Sequence, residues 1–329
     1  MKIVVLDAAT LGSDLSLSPL DALGEVTVWD NTAPEEIRGR IEGKDVVILN
    51  KIKIGETQLP DGEDAPKLIC VAATGFDNID LDACRRHGVG VSNVRGYSSN
   101  SVAQVTVGLV LDLVCHLSDY CSFVADGSYS HSGCANRLTP TYHEVAGLTW
   151  GIVGAGKIGS RVADVARAFG CRVLTCRRHP DGESVDLDTV CRESDIITVH
   201  TPLTPETRGM IGQREIDMMK DGVILVNMAR GAVTDEGAVA DAVLDGKIGG
   251  FEFDGNWSRK DVDWQEDALY SMIRRHQPEA MIINNTGMQK RGQLGHIELD
   301  STTFERGKPQ PLNMEGVPKY LASEMCQIF

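Results

Sequence analysis

Leu148-Thr149-Trp150-Gly151-Ile152-Val153-Gly154-Ala155-Gly156-Lys157-Ile158-Gly159, continuing as a helical pattern through Phe169 to Gly170, is the stretch whose reading decides the fold. A short apolar run ends in a glycine turn and passes at once into a helical pattern, so it reads strand, turn, helix. Each glycine has its own physical task. Gly154 permits the turn, Gly156 lets backbone approach a pyrophosphate, and Gly159 lets the helix lie close to the strand. The helix N-terminus, opening at Lys157 and Ile158, faces the phosphate charge. A glycine triplet alone is a weak signal; the strand before it and the helix after it make it a dinucleotide-binding turn.

Working outward, apolar runs of strand length alternate with helical patterns on both sides of this turn. Upstream, Lys2 to Asp7, Glu25 to Trp29, Asp45 to Leu49, Lys67 to Ala72 and Val89 to Val94 read as strands, with helices at Pro34 to Ile41 and Asp80 to His87. This is an open parallel sheet. From Ser99 to Ala125 the pattern becomes one long, mostly apolar helix linking the first sheet to the second. Its Thr106 and Gln104 either face a cofactor or pack as ordinary helix residues. His131 to His143 reads as a loop. Downstream, strands at Gly151 to Val153, Arg172 to Cys176, Ile196 to His200, Val223 to Met228, Ile248 to Phe253 and Ala280 to Asn284 alternate with helices, the last of them at Glu266 to His276. That makes a doubly wound α/β dinucleotide domain. The domains expected are 1–99, 100–285 and an irregular C-terminal tail, 286–329, where periodicity is lost.

The 329 residues suffice for two cores, and 42% hydrophobic with 24% charged content is ordinary for a globular chain. A net charge of −15 argues against a nucleic-acid partner, since phosphate backbones need clustered Lys and Arg. No apolar stretch reaches the roughly 18 residues of a membrane span, and the opening Met1 to Asp7 lacks a signal-peptide core, so a cytoplasmic protein without membrane partners is expected. Nine cysteines without Cys-x-x-Cys spacing indicate neither a disulfide framework nor a metal site.

Five ordered pieces carry a family resemblance: Ala73-Thr74-Gly75-Phe76-Asp77-Asn78-Ile79-Asp80, Val94-Arg95-Gly96-Tyr97-Ser98, Leu148 through Gly159, His200-Thr201-Pro202-Leu203-Thr204, and Val226-Asn227-Met228-Ala229-Arg230-Gly231. On these, residues 1 to about 249 resemble the D-isomer-specific 2-hydroxyacid dehydrogenases, nearest in flavour to the glycerate dehydrogenase and hydroxypyruvate reductase branch. The resemblance implies two Rossmann-like domains, a flavodoxin-like substrate domain and a dinucleotide domain with a cleft between them. It also implies hydride transfer between NAD or NADP and a small 2-oxo or 2-hydroxy acid, and a homodimer. By the same resemblance the Ala73, Thr74 and Gly75 turn offers backbone N–H groups to the substrate carboxylate. His200, Thr201, Pro202, Thr207, Met228, Ala229 and Asp254 join Thr106, Gly154, Gly156, Lys157, Ile158 and Gly159 around the cofactor.

Reducing a 2-oxo acid requires the carboxylate to be gripped, the keto oxygen polarised, a hydride delivered and a proton donated. Arg230 suits the first two tasks: its guanidinium is a permanently charged planar fork of donors, and it lies just past a strand end, where such sheets bind ligands. Cofactor choice depends on what ends the second strand of the dinucleotide domain. NAD-binding versions place an acidic residue there for the ribose 2′-hydroxyl; this chain has Cys176-Arg177-Arg178-His179. Arg177 and Arg178 suit a 2′-phosphate and favour NADP, or else they are solvated loop arginines and either cofactor serves.

Past Gly249 the resemblance stops. The family pattern continues with a glutamate and a histidine that form the acid–base pair; here Arg259 stands at the glutamate position and Thr286 at the histidine position. Neither replaces a histidine tuned by a carboxylate. His200, His276 and His296 read as surface or cap residues, not substitute acids. Residues 251–329 instead resemble a fragment of an alpha-L-fucosidase, with Phe253-Asp254-Gly255-Asn256-Trp257 matching the nucleophile segment of that family, although so short a piece cannot close a (β/α) barrel. The sequence therefore points to an impaired hydroxyacid dehydrogenase, with a non-catalytic dinucleotide-binding protein as the alternative and a glycosidase as a remote one.

Overall fold

The computed structural model describes residues 1–12, 15–254 and 281–284. They fall into two compact units that divide between Ser98 and Ser99.

In the first unit, β1 (Lys2–Val5), β2 (Glu25–Val28), β3 (Val46–Leu49), β4 (Leu68–Val71) and β5 (Gly90–Asn93) form a wholly parallel sheet in the order β2-β1-β3-β4-β5. This is the flavodoxin-like order expected of the N-terminal domain. Val4, Val47, Leu49, Ile69 and Val71 meet Ile37 and Ile41 of the short helix α1 (Ile37–Ile41) and Ala83 and Cys84 of α2 (Leu81–Arg86) in one core. Asp80 caps α2, accepting from the Asp82 and Ala83 amides. Beyond β1 the buried Asp7 carboxylate accepts from the Asn50 and Lys51 N–H groups at 2.9 and 2.7 Å, tying β1 to the turn after β3. Burial pushes its pKa up, in opposition to those bonds.

The second unit opens with α3 (Ser99–Cys115), α4 (Leu117–Ala125) and α5 (Ser128–Ser132). The single long helix expected from Ser99 to Ala125 is thus two helices, bent by 69° at His116, whose φ of 52° is left-handed. The cause is local. The Asp112 carboxylate reaches past the break to accept from the Ser118 N–H and hydroxyl, both at 2.8 Å, which starts α4 in a new direction. Apolar periodicity runs through the break, so the pattern alone does not reveal it. The stretch read as a loop from His131 likewise begins inside α5.

A parallel sheet follows, built from β6 (Thr149–Val153), β7 (Arg172–Cys176), β8 (Ile196–Val199), β9 (Val223–Asn227), β10 (Ile248–Asp254) and β11 (Met281–Asn284) in the order β11-β10-β9-β8-β6-β7. One face packs on α3 and on α6 (Lys157–Ala168), through Leu109, Leu113, Val162 and Ala166 against the buried Trp150 and Ile152. The other face meets α7 (Leu187–Glu193), α8 (Gln213–Met218) and α9 (Glu236–Leu244) through Val190, Ile216 and Val239. The strands lie between two helix layers, which is why β6 and β8 are buried throughout. Gly249 and Gly250 permit β10 to join. A Cβ on Gly249 would stand 2.8 Å from the Gly222 carbonyl oxygen, and one on Gly250 3.0 Å from Leu113.

The helix expected at Glu266 to His276, the tail 286–329, and Arg259, Thr286, His276 and His296 lie outside the described residues. Among those described, the eight cysteines are unpaired and no single helix is long and apolar enough to cross a membrane.

Candidate active site

Strand register assembles the site. Cys176 of β7 pairs with Val153 of β6, Val153 with Val199 of β8, Val199 with Asn227 of β9, and Asn227 with Phe253 of β10. Neighbouring strands lie about 4.8 Å apart, so this row crosses about 19 Å of sheet. The residues that leave the row at its carboxyl edge are Arg177, Gly154, His200, Met228 and Asp254. Ladder bonds carry the alignment past the strands: Gly154 N–H donates to Cys176 O at 2.9 Å, His200 N–H to Val153 O at 2.7 Å, and Met228 N–H to Val199 O at 2.9 Å. Strand order reverses between β6 and β8, which makes this edge the switch-point crevice where open α/β sheets bind ligands.

The glycine turn has three distinct geometries. Gly154 has φ +94°, and a Cβ there would approach the His200 carbonyl carbon and Thr201 nitrogen to 2.8 Å. A Cβ on Gly159 would meet the Gly154 carbonyl oxygen at 2.5 Å and Ile152 Cγ2 at 2.9 Å, so helix α6 packs on the turn only with glycine there. Gly156 differs: its φ is −77°, and nothing lies within 4 Å of a Cβ built on it. The first helical bond of α6 runs from Ser160 N–H to Gly156 O, leaving the Lys157, Ile158 and Gly159 amides ahead of the ladder. Open space over Gly156 beside three unspent amides fits a pyrophosphate.

Facing this turn are polar atoms that the protein leaves unsatisfied. Both ring nitrogens of His200 and the Thr201 hydroxyl are buried and have no hydrogen-bond partner among the described residues. Such groups are rare in folded proteins and fit a polar ligand. Burial pulls the His200 pKa down to about 3, so its imidazole is neutral at physiological pH. This corrects the expectation of a surface or cap role: both ring nitrogens are buried in the fold. Pro202 begins an exposed loop that Thr207 closes, its hydroxyl donating to Pro202 O at 2.7 Å and accepting from Thr204 N–H at 2.8 Å.

At the β7 end, the half-buried Arg177 spans two partners. Its Nη2 donates to Ser160 Oγ on α6 at 3.4 Å, and its Nε lies 3.0 Å from Asp181 Oδ2. Arg178 is exposed. Glu206 in the facing loop is held below the ordinary carboxylate range, first by a Thr204 hydrogen bond and lastly by the charge of Arg178.

Arg230 follows β9 and is half-buried, with Nη1 donating to Ala229 O at 3.1 Å. Its backbone is clamped by Asn227, which sequence reasoning did not single out. The fully buried Asn227 side chain accepts from Ala229 N–H at 3.0 Å and donates to Arg230 O at 2.9 Å and to Thr234 Oγ1 at 3.4 Å. A lone amide closing the apolar run Val223-Ile224-Leu225-Val226 is the signal that could have found it. Ser160 and Asp181, the partners of Arg177, were also missed: Ser160 meets it only through the packing of α6, and Asp181, four residues on, leaves no mark in the apolar pattern.

Thr106 is fully buried in α3 and its hydroxyl donates to Val102 O at 2.7 Å. The Ala73-Thr74-Gly75 turn belongs to the first unit, where Thr74 Oγ1 donates to Val94 O at 3.0 Å and Asn93 Nδ2 to Thr74 O at 2.7 Å. Asp254 ends β10, paired with Asn284 of β11. No group of three or more His, Cys, Asp or Glu side chains among the described residues is arranged to hold a metal.

Comparison with known proteins bears on the same residues. Residues 107–283 match the family model described as "D-isomer specific 2-hydroxyacid dehydrogenase, NAD binding domain"; the match corrects the expectation that the resemblance stops past Gly249, since it takes in β10 and β11 as far as Ile283. A glycerate dehydrogenase of Methylorubrum extorquens is 37% identical over 254 residues, which cover 77% of this chain and 80% of that one. A hydroxypyruvate reductase of Blautia hydrogenotrophica is 34% identical over 261 residues, covering 75% and 80%. Among solved structures, a D-lactate dehydrogenase from Aquifex aeolicus complexed with NAD and lactic acid superposes with a TM-score of 0.74 at 26% identity, over 92% of this chain and 93% of that one.

Proposed function

The chain belongs to the D-isomer-specific 2-hydroxyacid dehydrogenase family, and from that premise we propose that it transfers hydride between NADP(H), in preference to NAD(H), and a small 2-oxo or 2-hydroxy acid of the hydroxypyruvate, glyoxylate and glycerate class. The observation that carries this reading is the register row from Cys176 to Phe253, which sets Arg177, the Gly156 cradle, His200 and the Arg230 turn along one sheet edge.

When bound, a nicotinamide dinucleotide supplies the hydride. The protein supplies position and charge. Gly154, Gly156 and Gly159, with the amides of Lys157 and Ile158, hold the pyrophosphate. Arg177 and Arg178 take the 2′-phosphate. His200, Thr201, Pro202, Thr207, Met228 and Ala229 line the remaining length, while Thr106, fully buried with its hydroxyl spent on Val102 O, packs inside α3. Arg230 grips the substrate carboxylate and stabilises negative charge growing on the keto oxygen, helped by backbone N–H groups of Ala73, Thr74 and Gly75. Asn227 keeps the Arg230 backbone from drifting, so the guanidinium meets the substrate without reorganising.

With Arg259 and Thr286 in the sequence where the family's glutamate and histidine are expected, the acid–base pair is missing from those two positions, and slow turnover is the expected consequence. The same substitution favours a second reading, a dinucleotide-binding protein without catalysis. Stopped-flow oxidation of NADPH with hydroxypyruvate and with glyoxylate, beside NADPH and NADH titrations, separates the two. Slow, saturable oxidation supports the enzyme; binding without oxidation selects the alternative; tighter NADH than NADPH binding removes the cofactor preference.

A homodimer accords with the exposed apolar side chains that α4, α5 and the following loop concentrate in Leu117, Val124, Tyr129, Leu138 and Tyr142. Light scattering at the size of one chain counts against it. A cytoplasmic home accords with the eight cysteines that are unpaired among the described residues.

A further inference from the structure

Arg177 is not idle where the 2′-phosphate would dock. It pairs with Asp181, four residues on, whose Oδ2 lies 3.0 Å from Nε. The contact is close but badly aimed: Arg177 Nε is buried and makes no hydrogen bond, so the N–H does not point at the carboxylate. On the other side, Nη2 makes only a 3.4 Å bond to Ser160 Oγ, and that hydroxyl also donates to Ala155 O at 3.1 Å.

The carboxylate, by contrast, is held in place. Asp181 Oδ1 accepts from the Ser184 N–H at 3.0 Å and the Glu183 N–H at 3.3 Å, while Asp181 N–H donates to Ser184 Oγ at 3.3 Å. One oxygen is spent on this turn and the other, Oδ2, is presented to the arginine. Both side chains are partly in solvent, 34% exposed for Arg177 and 45% for Asp181. A pair of that kind is weak and readily exchanged.

We propose that Asp181 sets the preference between the two dinucleotides by competing with the 2′-phosphate for Arg177; this rests on the NADP(H) reading above. With NADP(H), the dianionic phosphate offers the guanidinium a better-aimed set of acceptors and takes it over, leaving Asp181 as a nearby like charge that weakens the complex. With NAD(H), no phosphate competes and the Arg177–Asp181 pair stays closed. Asp181 acts through Arg177 and is a positioning residue.

Asp181→Asn is the discriminating variant, because the amide oxygen still accepts from Glu183 and Ser184 while the charge is gone. Titration of the full chain, followed by dinucleotide fluorescence, is expected to give about 3- to 5-fold tighter NADPH binding, with NADH within twofold of the parent protein. The NADPH gain should shrink in 0.5 M salt, as a charge effect between exposed groups must. A second variant, Asp181→Ala, loses the turn as well, and a purely structural role for Asp181 would move both dinucleotides together in it. Unchanged or weaker NADPH binding by Asp181→Asn, or equal shifts for NADPH and NADH, overturns the proposal while leaving the dehydrogenase reading intact. Failure of the parent protein to bind either dinucleotide overturns both.

Discussion

Substituting Gly156 by serine separates a ligand cradle from a merely tight turn. The backbone of Gly156 is ordinary, with φ −77°, and no atom lies within 4 Å of an added Cβ, so the folded protein accepts a side chain there without strain. Gly156 is also the N-cap of α6, where serine ranks above glycine by a few tenths of a kcal/mol, roughly. At about 2–4 °C per kcal/mol for a unit of this size, the melting temperature should rise by no more than about 1–2 °C. The added hydroxymethyl group, however, fills the space over the amides of Lys157, Ile158 and Gly159. NADPH affinity should fall at least about tenfold, or about 1.4 kcal/mol. Gly159→Ala provides the contrast. Its methyl group would sit 2.5 Å from the Gly154 carbonyl oxygen, an overpacking worth about 1–3 kcal/mol, so melting should drop by about 2–12 °C. Thermal melts and NADPH titration on the two variants decide the matter. Gly156→Ser that binds NADPH like the parent protein, at an unchanged melting temperature, would refute the placement of the pyrophosphate.

Four further outcomes are expected. Arg230→Gln should lower kcat/KM for hydroxypyruvate by about 100-fold while the NADPH dissociation constant moves less than about threefold; Asn227→Ala should lower kcat and also cost about 1–3 kcal/mol in urea unfolding, because the amide and carbonyl groups it satisfies are buried. His87 donates from its two ring nitrogens to Glu56 and Pro60 O, each at 3.0 Å, and the Glu56 bond first, then Pro60, raises its pKa above 6.5. The stabilisation is therefore complete below pH 6.5 and fades as pH rises through the elevated value. Glu56 itself is held below its ordinary range, first by Arg86 and then by His87, so its share is lost only as pH falls through that lowered value. Melting curves between pH 6 and 9 should show the alkaline loss, and Glu56→Gln should flatten it; an unchanged slope in that variant counts against the pairing. Finally, His116→Gly should raise the urea midpoint by the equivalent of about 0.5–1 kcal/mol, since φ 52° strains any side chain with a Cβ, and a fall instead would mean that the 3.4 Å contact of His116 with Asp119 outweighs the strain.

Local chemistry was enough to fix much of this molecule. Glycine spacing and the change of hydrophobic period at Gly154 specify strand, turn and helix because both signals act within a few residues, and the alternation of short apolar runs with helical patterns specifies two parallel α/β sheets for the same reason. Arg230 was legible from its residue type and its place after an apolar strand. Only the tertiary structure decided the rest. Strand register put Cys176, Val153, Val199, Asn227 and Phe253 in one row, although they come from strands scattered over residues 149–254. Burial of its ring nitrogens made the His200 imidazole neutral. A carboxylate on Asp112 reaching Ser118 broke a helix whose apolar pattern continues unbroken, and a turn at Asp181 faced its charge toward Arg177. Periodicity and turn residues report what a segment prefers by itself. Burial and register are set by which distant segments the core brings together, and no window of sequence contains that information; the Asp112 and Asp181 contacts are local, but they depend on side-chain geometry that hydrophobic periodicity does not report.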